Sequence, residues 1–253
     1  VCHRASELRR PRTAFETWSV SSAVGRSREV RPVWSDKMTN IPEHIVREFI
    51  EACRDAARRG LVRCSSGNMS LRLDSDRMLI TASRSWMGSL SADGVCVCRF
   101  SDGTTVDEKQ PSVEMGFHAG ILRCRPDVNV VLHFQTPCGT ALASRDAEDV
   151  NYFVIPEIPF YIGPVARVLY EQPGSEELAG VVTEAMLTHD MVTIVNHGQV
   201  TAADSFAHAI QNASFFELAC EIILHGGDEL APLSSEEAQY LLDLRNQKRE
   251  RNI

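Results

Sequence analysis

Val130-Val131-Leu132-His133-Phe134-Gln135-Thr136-Pro137 is an apolar run that ends in polar residues. Its length and β-branched content read as a buried strand. Side chains alternate along a strand, so His133 and Gln135 share one face while Phe134 points to the other. A histidine beside a carboxamide, where an oily strand runs out, could hold a metal or a substrate. The question for the rest of the chain is which residues could join that pair.

The chain has 253 residues and 43% hydrophobic content, enough for one large domain or two small ones with a proper core. Its charge is unevenly spread. Residues 1–37 carry eight Lys/Arg against four Asp/Glu; of the chain's 26 basic and 34 acidic residues this leaves 18 and 30 for the remainder. An acidic main body argues against a nucleic-acid surface. No run reaches the ~18 apolar residues that a membrane span needs. The eight cysteines form no Cys-x-x-Cys pair and mostly sit in apolar segments, as reduced, structural thiols of a cytoplasmic protein would. Cys96 and Cys98 share one face of a probable strand, but two thiols without a second pair are a weak zinc signal.

Residues 1–37 are rich in Arg and Ser, lack apolar periodicity and have no apolar h-region, so they are not read as a secretory signal. They are expected to be a disordered or artefactual extension, with Met38 the natural beginning of a domain over 38–253. Asn40 can cap a helix with Pro42 in its first turn and an apolar face of Ile45, Val46, Phe49, Ile50, Cys53 and Ala57, ended by Gly60. Strands follow near 69–73, 78–81 and 95–100. Ser112 can cap a second helix that Arg125-Pro126 stops. After the strand at His133, the pattern predicts a short helix over 137–144 and strands over 150–170 broken by Pro156, Pro159 and Pro164. It then predicts a helix from Gly174-Ser175 to about His189, a strand over 191–195, a long helix over 204–224 and a charged tail. Strands mixed with helices throughout imply one α/β domain.

Four polar features sit at the ends of these elements. Ser65-Ser66-Gly67-Asn68 precedes a strand; glycine lets backbone N–H groups turn toward an anion. Thr81-Ala82-Ser83-Arg84 follows one, and Arg84 could clamp a phosphate or carboxylate with two parallel bonds. Pro111-Ser112-Val113-Glu114 puts a carboxylate in a first helical turn, where the helix dipole favours it. Val195-Asn196-His197-Gly198 places a second histidine where a strand ends. Each has an ordinary structural explanation alone. Two histidines, a carboxamide and a glutamate together make a donor set that zinc-like ions accept.

The order of these motifs resembles the class II aldolase/adducin family, of which L-fuculose-1-phosphate aldolase is the best-known kind. The resemblance spans about 41–224. It rests on Ser66-Gly67-Asn68-Met69-Ser70, Ile80-Thr81-Ala82-Ser83, Pro111-Ser112-Val113-Glu114, Arg125-Pro126-Asp127-Val128 leading to Leu132-His133-Phe134-Gln135, and Asn196-His197-Gly198. It implies a three-layer α/β/α fold with a central, largely antiparallel mixed sheet, and a homotetramer. It implies a divalent metal, most commonly Zn2+, on histidines, with a glutamate as ligand and acid/base. Carried onto this chain, the metal residues are Glu114, His133, Gln135 and His197. Glu114 is the catalytic residue, suited to protonating an enediolate if apolar neighbours raise its pKa. Gly67, Asn68, Ser83, Arg84 and Ser112 fall on the substrate- and phosphate-binding positions. The family also borrows a tyrosine from a neighbouring subunit; Tyr152 and Tyr161 both lie in the right region.

Three departures qualify that pattern. Gln135 stands where the family has its third histidine, Val113 where it has a second serine, and Arg84 where it has a glycine. An amide oxygen is a weaker, harder donor than imidazole, so the metal is expected to bind less tightly, with a shift toward Mn2+ or Mg2+. The implied activity is metal-dependent retro-aldol cleavage of a sugar or sugar phosphate through a stabilised enediolate. The alternatives are epimerisation, dehydration or decarboxylation of a sugar-acid phosphate on the same fold, or a non-catalytic, adducin-like binding module.

Overall fold

The computed structural model describes residues 41–107, 109–145 and 150–251. The expected extension over 1–37, Met38 and the Asn40 cap lie outside the described residues. Through the rest runs a seven-stranded sheet made of β1 Asn68–Arg72, β2 Arg77–Thr81, β3 Val95–Arg99, β4 Val130–Phe134, β5 Val165–Val168, β6 Met191–Ile194 and β7 Gly198–Ala203. The spatial order is β3-β2-β1-β4-β7-β6-β5. Only β5 and β6 pair in parallel; the other neighbours are antiparallel.

The described residues hold six α-helices: α1 Glu43–Arg58, α2 Met115–Cys124, α3 Pro137–Ala143, α4 Glu176–Ala185, α5 Phe206–Gly226 and α6 Ser235–Arg251. The side-chain alternation of β4 sorts them into layers. Val130, Leu132 and Phe134 enter a core shared with α1, α3 and α5, among them Phe49 and Phe216. Val131 enters the opposite core, with Phe117 and Ile121 of α2 and Leu178 and Val182 of α4. The fold is thus the expected three-layer α/β/α arrangement. His133 lies on the α2 side of β4, because it is two residues from Val131.

Local chemistry sets several boundaries. α1 buries Val46, Phe49, Ala52, Cys53 and Ala56 as one stripe. Gly60 stops it with φ +77°, a conformation that costs glycine little. Ser175 caps α4 by accepting from the Leu178 N–H at 3.1 Å. Helices α2 and α4 approach nearly backbone to backbone. A Cβ on Gly116 would come within 2.9 Å of Ala179 Cβ, and one on Gly120 would strike Thr183.

The structure corrects five expectations. Ser112 is not the α2 cap; its hydroxyl accepts from the Glu114 N–H at 3.3 Å inside the preceding turn, and α2 begins one residue after Glu114. Residues 150–170 hold one strand, β5, after a π-helical turn Ile158–Ile162. Proline has no N–H to give to a ladder, so the segment cannot run as the series of strands expected. α4 ends at Ala185, short of His189. The stretch after His197 is strand β7, hidden by its Gly and Ala residues, which signal strand weakly. The charged tail is helix α6. Cys96 and Cys98 are buried beneath α2 and α4, and burial pushes each thiol up to about 12, as inert core thiols require.

α6 is anchored by charge rather than by an apolar stripe. Arg245 donates to the Ile162 carbonyl at 2.9 Å and to Asp190. Asp190 is buried and also pairs with Arg249 and, at 3.0 Å, with Arg125. Asp190→Ala would leave the largely buried Arg245 guanidinium without its counter-ion and should cost about 3 kcal/mol in chemical denaturation. Gly198→Ala should cost about 1–3 kcal/mol by the same measurement, because its Cβ would lie 2.7 Å from the Phe134 carbonyl oxygen, which cannot move aside by changing rotamer.

Candidate metal centre

Four chain segments meet where β4 ends. The ladder pairs Asn68 of β1 with His133, and Gln199 of β7 with Phe134. The turn between β6 and β7 carries His197, and Asn196 takes φ +54° to make that turn tight. The start of α2 brings Glu114 from the other layer. One ligand atom from each of Glu114, His133 and His197 lies within 4.8 Å of the others.

The finer geometry suits a cation. His133 Nε2 is 3.4 Å from Glu114 Oε2, and His197 Nε2 is 3.0 Å from Glu114 Oε1. Donor atoms around one tetrahedral zinc sit roughly 3.3 Å apart, from bond lengths of about 2.0–2.1 Å. His133 Nδ1–H donates to the Gln199 carbonyl at 2.9 Å, which leaves the Nε2 lone pair facing Glu114. His133 Nε2, Glu114 Oε1 and His197 Nδ1 are buried and make no hydrogen bond among the described residues. Buried polar atoms are normally satisfied. An imidazole nitrogen of His133 and a carboxylate oxygen of Glu114 left orphaned in one place, with His197 Nε2 beside them, fit a divalent metal.

The electrostatics correct one expectation. Burial alone would raise the Glu114 pKa, but attraction to His133, the approach of His197 and the Asn68 amide outweigh it and hold the carboxyl well below the usual range. Resting Glu114 is therefore ionised, not poised near neutrality by apolar neighbours. Burial pulls the His133 pKa down, against the opposing pull of the Glu114 charge. An ionised carboxylate and a neutral imidazole are the protonation states that ligate metals.

The remaining expected residues gather at the same end of the sheet. The Gln135 side chain lies against the His197-Gly198 turn; a Cβ on Gly198 would be 2.7 Å from Gln135 Cγ and 3.1 Å from His133 Cε1. Gly67 has φ +75°, and a Cβ there would reach within 2.7 Å of the His133 carbonyl, so glycine lets this loop cross the end of β4. Asn68 has both ends of its carboxamide engaged, donating to Glu114 Oε2 at 2.8 Å and accepting from His118 Nε2 at 2.5 Å. The loops bearing Ser83 and Ser112 run side by side, joined by Ser83 N–H to Gln110 O at 2.9 Å and Ser112 N–H to Thr81 O at 3.0 Å. Arg84 is exposed and holds φ +62°, in the left-handed region that glycine adopts most readily. Three residues at the site were not anticipated: Ser70, Gln199 and His118. His118 follows Glu114 by four positions, one helical turn, and that spacing was its available signal.

Comparison with known proteins agrees with this fold. The profile of the Class II Aldolase and Adducin N-terminal domain matches residues 47–224. The 3-oxo-tetronate 4-phosphate decarboxylase of Haemophilus influenzae is 27% identical over 198 residues, which cover 77% of this chain and 90% of that protein. The L-fuculose phosphate aldolase of Methanococcus vannielii is 30% identical over 164 residues, covering 65% of this chain and 87% of that protein. Among solved structures, YgbL of Escherichia coli superposes with a TM-score of 0.75 at 26% identity, covering 79% of this chain and 98% of that one. Among the described residues, no helix is long and apolar enough to cross a membrane. By motif, fold and sequence profile together, the chain belongs to the class II aldolase/adducin family.

Proposed function

We propose that this protein is a metal-dependent carbon–carbon lyase acting on a phosphorylated sugar acid, and that decarboxylation of a 3-oxo acid is its reaction. The observation that carries the reading is the convergence of Glu114, His133 and His197 on one point. Glu114, His133 and His197 would hold the ion, with the Gln135 amide oxygen beside them as a weaker fourth donor. A bound divalent cation supplies Lewis acidity to the carbonyl oxygens of a substrate. Zn2+ is the first candidate, and Gln135 favours some acceptance of Mn2+ or Mg2+.

The chain's own groups do the rest. When a 3-oxo acid loses CO2, the bonding pair stays on the α-carbon and is delocalised onto the neighbouring carbonyl oxygen. One proton must then be delivered to that carbon. That proton comes from solvent: Glu114, ionised at rest, can take it up at Oε1, the oxygen with no hydrogen bond, and pass it to the carbon, while Oε2 stays tied to Asn68. Retro-aldol cleavage asks for a second transfer, removal of a hydroxyl proton from the far carbon. Ser83, Ser112, Gly67 and Asn68 remain the assigned anion-binding positions. Arg84 adds an exposed guanidinium that can grip a carboxylate bidentately. Similarity to the Haemophilus decarboxylase over nearly its full length supports the acid as substrate.

The second reading is aldol cleavage of a sugar phosphate, favoured by similarity to the Methanococcus aldolase. A tetramer would complete that site with a neighbour's tyrosine. Tyr152 is buried against Phe216, whereas Tyr161 is 37% exposed, so Tyr161 is the residue able to reach another subunit. A non-catalytic module is disfavoured, since loss of catalysis gives no reason to keep Glu114, His133 and His197 together.

Protein supplied with zinc or manganese should release CO2 from 3-oxo-tetronate 4-phosphate faster than it cleaves L-fuculose 1-phosphate. Glu114→Ala should lower that rate by about 10²–10⁴-fold. The opposite preference would select the aldolase reading, and equal, negligible turnover by both proteins would select the binding module. In metal titrations, Gln135→His should tighten zinc binding roughly tenfold, about 1.4 kcal/mol. Unchanged affinity would remove Gln135 from the ligand set.

A further inference from the structure

His118 is wholly buried on α2, one turn after Glu114, and takes no part in the proposed ligand set. Both its ring nitrogens are spoken for. Nδ1 lies 2.8 Å from Ser70 Oγ, and Nε2 lies 2.5 Å from Asn68 Oδ1. Asn68 Nδ2 in turn lies 2.8 Å from Glu114 Oε2. Ser70 and Asn68 stand two apart on β1, so their side chains share the face that α2 covers.

The direction of every bond in this chain follows from one end. An ionised carboxylate only accepts, so Asn68 must turn its NH2 toward Glu114. Its carbonyl oxygen then faces His118 and needs a donor, so Nε2 carries the ring hydrogen. Nδ1 is left as an acceptor, which the Ser70 hydroxyl satisfies. A flipped Asn68 amide would set oxygen against carboxylate oxygen at one end and N–H against N–H at the other. In this fully enclosed place neither clash has water to relieve it. Burial holds the His118 pKa down at about 3, so the ring stays neutral and can play the acceptor at Nδ1.

We propose that His118 is a positioning residue: through the Asn68 carboxamide it keeps the Glu114 carboxylate turned toward His133 and His197. The inference rests on the reading that these three residues hold a metal. It goes further in naming a buried set of side chains, Ser70, His118 and Asn68, that fixes the aim of the carboxylate. Through Asn68, the same set directs which Glu114 oxygen is left free.

Zinc affinity measured by competition with a chelator tests it without relying on turnover. His118→Phe keeps the ring volume and removes both hydrogen bonds; it should weaken zinc binding about 10–100-fold. His118→Gln, whose longer amide can still donate to Asn68, should recover binding to within about threefold of the parent, inside the spread of a retained contact. Asn68→Ala should weaken binding as His118→Phe does. Combining the two should add less than about twofold, because both act along one path. If His118→Phe does not fold, His118→Asn replaces it, since the shorter amide reaches Ser70 but not Asn68, and the same loss is expected. A folded His118→Phe protein with parental affinity, or losses that multiply independently in the double variant, would overturn the positioning role while leaving the metal centre intact. A parent protein that binds neither zinc nor manganese would overturn the metal centre and this inference together.

Discussion

A carboxylate 7% exposed to solvent, ionised, and facing two buried imidazoles is the constraint around which this molecule is arranged. Burying an unpaired charge costs several kcal/mol, so the surroundings must either neutralise Glu114 or compensate it. They compensate it in part. Asn68 donates to one oxygen, the histidines approach both, and the Gln199 carbonyl sets the His133 tautomer. What the polypeptide leaves unsatisfied is one cluster of acceptor atoms, and a cation is the partner whose charge completes it.

The fold holds this cluster by rigid means. β4 is buried along its length between β1 and β7, so His133 has a fixed height and a fixed face. Glycines at 116 and 120 let α2 lie close on α4, and that packing fixes where α2 begins and hence where Glu114 points. Gly67 and Gly198 then admit two loops to the end of β4 at distances no side chain would tolerate. Residues distant in sequence are thereby brought to one point by backbone rather than by flexible side chains, as preorganised sites require. At the rim, Arg84 adds an exposed charge on a backbone with positive φ.

Much of this was legible in the amino-acid sequence, for identifiable reasons. The oily run to His133, the stripe of α1 and the polar turns at 81–84, 111–114 and 196–198 carry strong local signals, and the order of those motifs gave the family and the layered architecture. β7 was missed because Gly198, Ala202 and Ala203 have little strand preference; they form a strand because β4 and β6 flank them. α6 was read as a tail because its docking depends on Asp190, far away in sequence. The Glu114 environment was misjudged for the same kind of reason. Its apolar sequence neighbours suggested a raised pKa, whereas the partners that lower it arrive from β1, β4 and the β6–β7 turn. His118 was not singled out, although its spacing from Glu114 was visible.

The most direct test is anomalous diffraction from crystals of the protein grown with zinc. The account requires one strong peak bonded to Glu114, His133 and His197, with the Gln135 amide oxygen turned toward it. A peak elsewhere in the molecule, or no peak beside Glu114 when zinc is present in excess, would contradict it.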